Sequence, residues 1–98
     1  MPSTVEIETP TVRLVADHWV GGGTPVILAH GGGQTRHSWG GTAAELADEG
    51  HEVLSIDLRG HGDSGWDPAQ DYTMAAYRAD AIAAVHWLGR PACWEGAS

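Results

Sequence analysis

Apolar side chains along the chain follow two different spacings, which predict an alternation of strands and helices. Five short runs of mainly β-branched or other apolar residues predict β-strands over residues 4–8, 11–19, 25–29, 51–57 and 91–95. The third run, PVILA, is continuously apolar, which is typical of a strand buried on both faces of a parallel sheet.

The first helical segment carries apolar residues three and four positions apart. Trp39, Ala43 and Leu46 recur at this spacing and predict one buried stripe. Thr42 and Glu45 form a possible capping box within the segment, and Gly50 is expected to end the helix. Gly40 and Gly41 weaken the first turn, so the sequence leaves the start of the helix open.

The second helical segment has clearer boundaries. Thr73 is a plausible N-cap, and Gly89 with Pro91 is expected to end the helix. Its predicted buried face consists of Met74, Tyr77, Ala81, Val85 and Leu88.

The predicted order is β-β-β-α-β-α-β, which indicates an α/β fold. Alternating strands and helices favour a mostly parallel sheet with right-handed crossovers and helices on both faces. No internal repeat or low-complexity linker interrupts the chain, so residues 1–98 are interpreted as one domain.

Charge and composition narrow the class of partner. Five Arg and no Lys stand against 13 acidic residues, and the net charge of -8 argues against nucleic acid or an anionic membrane. The chain has no apolar run long enough to cross a bilayer and no signal-peptide pattern at its start, which favours a cytoplasmic protein. A lone Cys93 in an apolar strand is expected to be a buried structural thiol.

Three glycine-rich loops follow the predicted ends of the buried strands. They are HGGGQTRHSW from residue 30, DLRGHGDSGW from residue 57, and GAS from residue 96. Ligands of open α/β sheets bind beyond the carboxyl ends of the strands, and glycine lets backbone amides approach a ligand closely. These loops are therefore the candidate site.

The segments HGGG, DLRGHGDS and GAS each follow a predicted strand, and together they resemble the corresponding segments of the α/β-hydrolase fold family. The resemblance covers residues 4–98. The resemblance implies the N-terminal half of that fold. The family nucleophile sits in G-x-S-x-G, and Gly96, Ala97 and Ser98 match its first three positions, so Ser98 is the implied catalytic residue. The family's acid and histidine follow the nucleophile in the chain, so this fragment is expected to be inactive alone.

The same resemblance implies that Gly32, with its neighbour Gly33, supplies one half of an oxyanion hole. The other donor would be the amide of residue 99. No metal and no cofactor are implied.

Two further groups are expected to hold the loops in shape rather than to react. His30 and Gly31 begin the first loop, and His30 is expected to brace it by hydrogen bonding. In the second loop, Gly60 and Gly62 are expected to supply unusual backbone angles and Arg59 to pair with carboxylates. The structural set of that loop is Asp57, Arg59, Gly60, His61 and Gly62.

The implied activity is hydrolysis of an ester or related acyl bond in a small-molecule substrate through an acyl-serine. Serine at the nucleophile position favours esterases, C–C bond hydrolases and cofactor-free haloperoxidases over dehalogenases and epoxide hydrolases, which place an aspartate there. The alternative is a non-catalytic truncated product or a binding module of the same fold.

Two competing site types fit the residues less well. Gly31-x-Gly33 is followed by Arg36 where a dinucleotide fingerprint needs its third glycine. His61-x-Asp63 could be taken for a metal pair, but six histidines without a clean ligand spacing do not predict a metal site.

The last predicted strand departs from the family pattern. Glu95 stands in a strand that should be buried, where a carboxylate must find partners or take up a proton. A polar pocket near Glu95 and a distorted strand both remain open. Because this strand is expected to form an unpaired edge, the fragment is predicted to be unstable or to self-associate.

Overall fold

The computed structural model describes residues 2–30, 35–66, 69 and 72–96. Within them the chain forms, in order, β1 (Ser3–Glu8), β2 (Arg13–Trp19), β3 (Gly23–Ala29), a 3-10 helix (Arg36–Trp39), α1 (Gly40–Asp48), β4 (His51–Ile56), α2 (Met74–Leu88) and β5 (Cys93–Gly96). All five predicted strands and both predicted helices are confirmed, with boundaries shifted by a few residues.

The strands form one sheet in the order β1-β2-β4-β3-β5. β3 runs parallel to β4 and to β5, whereas β1 pairs antiparallel with β2, and β2 antiparallel with β4. The prediction of a mostly parallel sheet is therefore wrong, since the sheet is mixed. The short connection between β1 and β2, residues 9–12, accounts for the first antiparallel pair, because a parallel pair needs a crossover of a dozen or more residues.

The two helices lie on opposite faces of the sheet, as predicted. Successive residues of a strand point to opposite faces. Ala43 of α1 packs with Val26, Leu28 and Val53 on one face. Ala84 of α2 joins the larger cluster on the other face, which includes Ile7, Leu14, Ala16, Ile27, Leu54 and Ile56.

The ends of α2 were predicted correctly, and its buried side was predicted in part, since Val85 and Leu88 pack partly buried against the larger cluster. Thr73 Oγ1 accepts a hydrogen bond from the Ala76 N–H at 3.2 Å, and Gly89 ends the helix at φ 78°. Met74 is 78% exposed. The fully buried positions are Ala76, Asp80 and Ala84, because small side chains let the helix approach the sheet and the charge of Asp80 has a partner in a loop.

The structure defines the start of α1, which the sequence left open. The helix begins at Gly40, its N-cap is Trp39, and no side chain caps it. The 3-10 helix runs directly into it, with Thr35 at its own N-terminus accepting from the His37 N–H. The capping box at Thr42 is therefore wrong, since Thr42 lies on the exposed side of a helix that has already begun.

β5 lies at the edge of the sheet, as predicted, and this changes the environment of two of its side chains. Cys93 and Glu95 were expected to be buried, but both are exposed. β5 has a paired neighbour, β3, on one side. In the described part of the chain Glu95 is therefore in contact with water. No helix of the described residues is long and apolar enough to cross a membrane.

The two threonines provide a matched test of helix capping. We expect Thr73→Ala to lower the free energy of unfolding by about 1 kcal/mol, because the Ala76 N–H loses its acceptor. Thr42→Ala should change it by no more than about 0.5 kcal/mol, because Thr42 caps nothing. Urea denaturation followed by circular dichroism measures both, and equal effects would contradict the assigned helix starts.

Candidate active site

The carboxyl ends of three neighbouring strands meet at one edge of the sheet. In the register of the parallel strands, Ala29 at the end of β3 pairs with Ile56 at the end of β4 and with Gly96 at the end of β5. The segments that follow these strands therefore leave the sheet side by side. This is the place where open α/β sheets bind their ligands.

Several residues of the predicted site lie outside the described residues. They are Ser98, the implied nucleophile, and the glycines of the first loop, Gly31, Gly32 and Gly33. The described part of the site consists of the residues on either side of that glycine stretch and of the second loop, residues 57–66, which follows β4.

His30 is buried at the end of β3 with 2% of its surface exposed. Its Nε2 accepts a hydrogen bond of 2.9 Å from the Leu58 N–H. The ring centroids of His30 and His61 are 5.1 Å apart. This hydrogen bond ties the beginning of the first loop to the segment that follows β4.

Asp57 is the buried carboxylate of the site, with no exposed surface. Oδ1 accepts from the Arg36 N–H at 2.6 Å, and Oδ2 accepts from Arg36 Nη1 at 2.5 Å and from the Asp63 N–H at 3.0 Å. Burial alone would raise the pKa of Asp57, but the two backbone N–H groups and the guanidinium outweigh it, so the pKa lies below its ordinary value.

Arg36 is a residue of the site region that sequence reasoning missed, and its contacts are structural. It is 8% exposed, and besides Asp57 its guanidinium binds Asp17 at 3.1 Å and Asp63 at 3.0 Å. Its carbonyl accepts from Ser55 Oγ at 2.7 Å. Burial would lower the pKa of Arg36, but the three carboxylates raise it above its ordinary value, so the side chain stays charged.

Arg59 joins the second loop to α2. Its Nε and Nη2 each donate to one oxygen of Asp80 at 2.7 Å, a bidentate pair between two buried side chains. Nη2 also donates to Thr11 Oγ1 at 3.2 Å, at the turn between β1 and β2. The predicted pairing of Arg59 with a carboxylate is confirmed, and Asp80 is the partner.

The backbone of the second loop has the unusual angles predicted for its glycines. Gly60 has φ 73° and Gly62 has φ 52°. A Cβ on Gly62 would stand 2.4 Å from the carboxyl carbon of Asp57, and one on Gly60 would stand 2.8 Å from the Tyr72 ring. Gly62 thus lets the loop close over the carboxylate of Asp57.

Ser64 completes the loop by joining it to β2. Its Oγ donates to the Asp57 carbonyl at 2.6 Å and accepts from the Val15 N–H at 2.8 Å. The Gly65 N–H donates to the Arg13 carbonyl at 2.7 Å. The second loop therefore continues the antiparallel contact between β2 and β4 beyond the end of β4.

These contacts bear on the two competing site types. His61 Nδ1 lies 3.0 Å from the Arg59 carbonyl, and the Asp57 carboxylate binds Arg36 and Asp63. Asp57 is fully buried, so its carboxylate is not accessible to the ribose of a dinucleotide. In the part of the chain that the structure describes, no three His, Cys, Asp or Glu side chains are grouped so that they could hold a metal ion.

Comparison with known proteins agrees with this architecture. Residues 24–89 match the family model described as alpha/beta hydrolase fold. The chain belongs to the α/β-hydrolase fold family. The motifs HGGG and DLRGHGDS, which carried the resemblance, both lie within the matched residues.

Family members of more than one activity are similar to this chain. An esterase of Mycobacterium tuberculosis is 40% identical over 55 residues, which cover 56% of this chain and 17% of the esterase. Epoxide hydrolase A of the same organism is 35% identical over 98 residues, covering 97% of this chain and 30% of that protein.

Solved structures lead to the same fold. Epoxide hydrolase A from Mycobacterium thermoresistibile superposes with a TM-score of 0.89 at 32% identity, over 98% of this chain and 31% of the other. An epoxide hydrolase from an endophytic Streptomyces gives a TM-score of 0.89 at 35% identity, over 97% and 29% of the two chains. The chain spans less than a third of the length of each of these relatives.

The close packing of Gly62 against Asp57 is tested by two alanine substitutions. Gly50 also has a positive φ, 96°, but a Cβ there would meet nothing within 4 Å. We expect Gly62→Ala to lower the free energy of unfolding by about 2 kcal/mol more than Gly50→Ala, because it adds a steric overlap to the backbone strain. Chemical denaturation measures both, and equal losses would show that the loop does not close over the carboxylate.

The paired carboxylate predicts a pH dependence of stability. The pKa of Asp57 is lower in the folded chain than its ordinary value of 3.8, so its contribution is complete above that value and is lost as pH falls through the folded pKa. We expect Asp57→Asn to cost about 3 kcal/mol near neutral pH and to flatten the loss of stability as pH falls below 3.8. The control is Asp48→Asn, at an exposed position of α1, which should cost much less stability near neutral pH than Asp57→Asn.

Proposed function

We propose that this chain forms the N-terminal part of a serine hydrolase that cleaves ester or related acyl bonds in small molecules. The observation that carries the proposal is the register of the parallel strands, in which Ala29, Ile56 and Gly96 end level with one another. Ser98 follows two residues after Gly96, and the glycine stretch at 31–33 follows two residues after Ala29. The proposed nucleophile and the proposed amide donor therefore extend from neighbouring strands.

The proposed chemistry is acyl transfer. Ser98 Oγ attacks the acyl carbon, its proton passes to a base, and the carbonyl oxygen becomes an oxyanion that the Gly32 amide would bind, with Gly33 beside it. The bond to the alcohol then breaks, and the alcohol leaves with the proton. Water attacks the acyl-serine in the same way and releases the acid.

Similarity alone does not distinguish ester from epoxide substrates, because an esterase and epoxide hydrolases are both similar to this chain. The residue that supports esters is Ser98 itself. Its resemblance to the family nucleophile implies a serine where the epoxide-hydrolase branch carries an aspartate. We therefore favour acyl substrates over epoxides.

A specific observation favours a second candidate, a non-catalytic role for the 98-residue chain by itself. Three titratable side chains near the carboxyl ends of the parallel strands make structural contacts. His30 accepts from Leu58, His61 contacts the Arg59 carbonyl, and Asp57 binds Arg36. None of the three is placed as a free base for a serine hydroxyl, which is a weak nucleophile unaided.

A serine-reactive fluorophosphonate probe tests the proposal. In a polypeptide that continues past Ser98 with a glycine at position 100 and a later acid and histidine, we expect Ser98 to be labelled and aryl esters to be hydrolysed. Ser98→Ala should abolish both, whereas Ser3→Ala, at the start of β1, should change neither. We expect no labelling of the 98-residue chain.

Two results would count against the proposal. One is labelling or ester turnover that persists in Ser98→Ala. The other is turnover of an epoxide such as styrene oxide with no turnover of esters, which would place the activity with the epoxide-hydrolase relatives instead.

A further inference from the structure

We infer that His30 and Ser55 are positioning residues for the proposed oxyanion hole. Their hydrogen bonds, together with that of Asp57, attach both sides of the glycine stretch in the first loop to the end of β4. The inference rests on the proposed function, since it concerns the amide donor proposed there. It starts from the observation that two consecutive residues, Asp57 and Leu58, bind the residues on the two sides of the stretch.

On one side of the stretch, His30 is fixed through its ring. Its Nε2 accepts a hydrogen bond of 2.9 Å from the Leu58 N–H, and only 2% of His30 is exposed. A ring nitrogen that accepts from an N–H carries no proton, so the proton of the neutral ring is on Nδ1. His30 is therefore held in one tautomer and one orientation at the point where the chain leaves β3.

On the other side of the stretch, Arg36 is fixed through its backbone. Its N–H donates to Asp57 Oδ1 at 2.6 Å, and its carbonyl accepts from Ser55 Oγ at 2.7 Å. Ser55 and Asp57 are both fully buried. Because they stand two positions apart in an extended chain, their side chains point to the same face of the sheet. The backbone of Arg36 is therefore held against the end of β4 by side chains that water does not reach.

The His30 and Arg36 contacts are two anchors, and only five residues, 31–35, separate them in the sequence. A segment whose two ends are fixed can adopt far fewer conformations than the same segment fixed at one end. An oxyanion hole benefits from this restriction, because an amide that is already oriented stabilises the developing charge without reorganisation during the reaction. We therefore expect the anchors to act on the transition state and not on the binding of the substrate.

A purely structural role for the same contacts predicts a different outcome. A buried or capping hydrogen bond between a side chain and the backbone contributes to folding wherever it lies. Thr73 makes such a bond at the start of α2, where its Oγ1 accepts from the Ala76 N–H. Loss of the hydroxyl of Thr73 or of Ser55 should lower the free energy of unfolding in both cases, but only Ser55 holds the first loop.

Kinetics of two His30 variants test the first anchor, in the polypeptide that continues past Ser98. His30→Leu removes the acceptor for the Leu58 N–H, whereas the side-chain oxygen of His30→Gln reaches the position of Nε2 and accepts in its place. For an aryl ester we expect kcat and kcat/KM to fall about 30-fold in His30→Leu and to stay within about 3-fold of the parent polypeptide in His30→Gln. KM should change by less than about 3-fold in both variants.

A matched pair of hydroxyl deletions tests the second anchor. Ser55→Ala should lower kcat about 10-fold, because the Arg36 carbonyl loses its donor. Thr73→Ala should leave kcat unchanged, because the bond that it removes lies within α2. Circular dichroism establishes that all the variants fold, and urea denaturation measures the stability that each one loses.

An inhibitor that forms a tetrahedral adduct separates positioning from binding. Ser98 Oγ bonds to the carbonyl carbon of a trifluoromethyl ketone, the serine proton passes to the base, and the carbonyl oxygen becomes an oxyanion. We expect its inhibition constant to rise in His30→Leu and Ser55→Ala by the same factor as kcat falls. The corresponding methyl ketone binds without this adduct and should keep its inhibition constant.

The inference is overturned by an unchanged kcat in His30→Leu, by an equal loss in His30→Gln, or by equal losses in Ser55→Ala and Thr73→Ala. An unchanged inhibition constant of the trifluoromethyl ketone in the anchor variants would also overturn it. If the parent polypeptide has no activity that depends on Ser98, the proposed function fails and this inference fails with it. If the parent is active and the anchor variants match it, only this inference fails.

Discussion

The buried ion pair between Asp57 and Arg36 is the interaction on which the arrangement of the loops depends. Asp57 has no access to water, so its charge can exist in the folded chain only while Arg36 and two backbone amides bind it. Arg36 in turn requires the carboxylates of Asp17 and Asp63 as well. Each buried charge is stable in the folded chain because the other is present. The ion pair therefore holds the two loops in one geometry.

The second loop, residues 57–66 after β4, connects this ion pair to the neighbouring elements. It binds β2 through Ser64, α2 through Arg59, and the two flanks of the glycine stretch through Leu58 and Asp57. These contacts are hydrogen bonds and ion pairs, whose directions are narrow, whereas the apolar clusters beneath them tolerate small shifts. The edge at which the three parallel strands end is therefore held by polar contacts. This is the kind of support that a preorganised site requires.

The sequence was sufficient where a local pattern determines structure and insufficient where the determining partner is distant. Apolar spacing located every strand and both helices, and the loop motifs located the edge of the sheet where a site would form. Arg36 belongs to no motif, and its partners lie 19 to 27 residues away, so nothing local indicates its burial. Asp80 was missed for the same reason, since only its pairing with Arg59 explains a carboxylate on the buried side of α2.

The strand order also has a consequence for the synthesis of the chain. β1, β2, β4 and β3 are all complete once residue 56 has left the ribosome, and they are mutually adjacent in the sheet. The sheet face that carries Leu14, Ile27, Leu54 and Ile56 is covered by α2. This helix is complete only after about thirty more residues have been synthesised. During that interval the nascent chain presents a sheet with one bare apolar face. The stretch from Leu58 to Thr73, which is rich in glycine and polar residues, therefore sets how long that face stays open to other molecules.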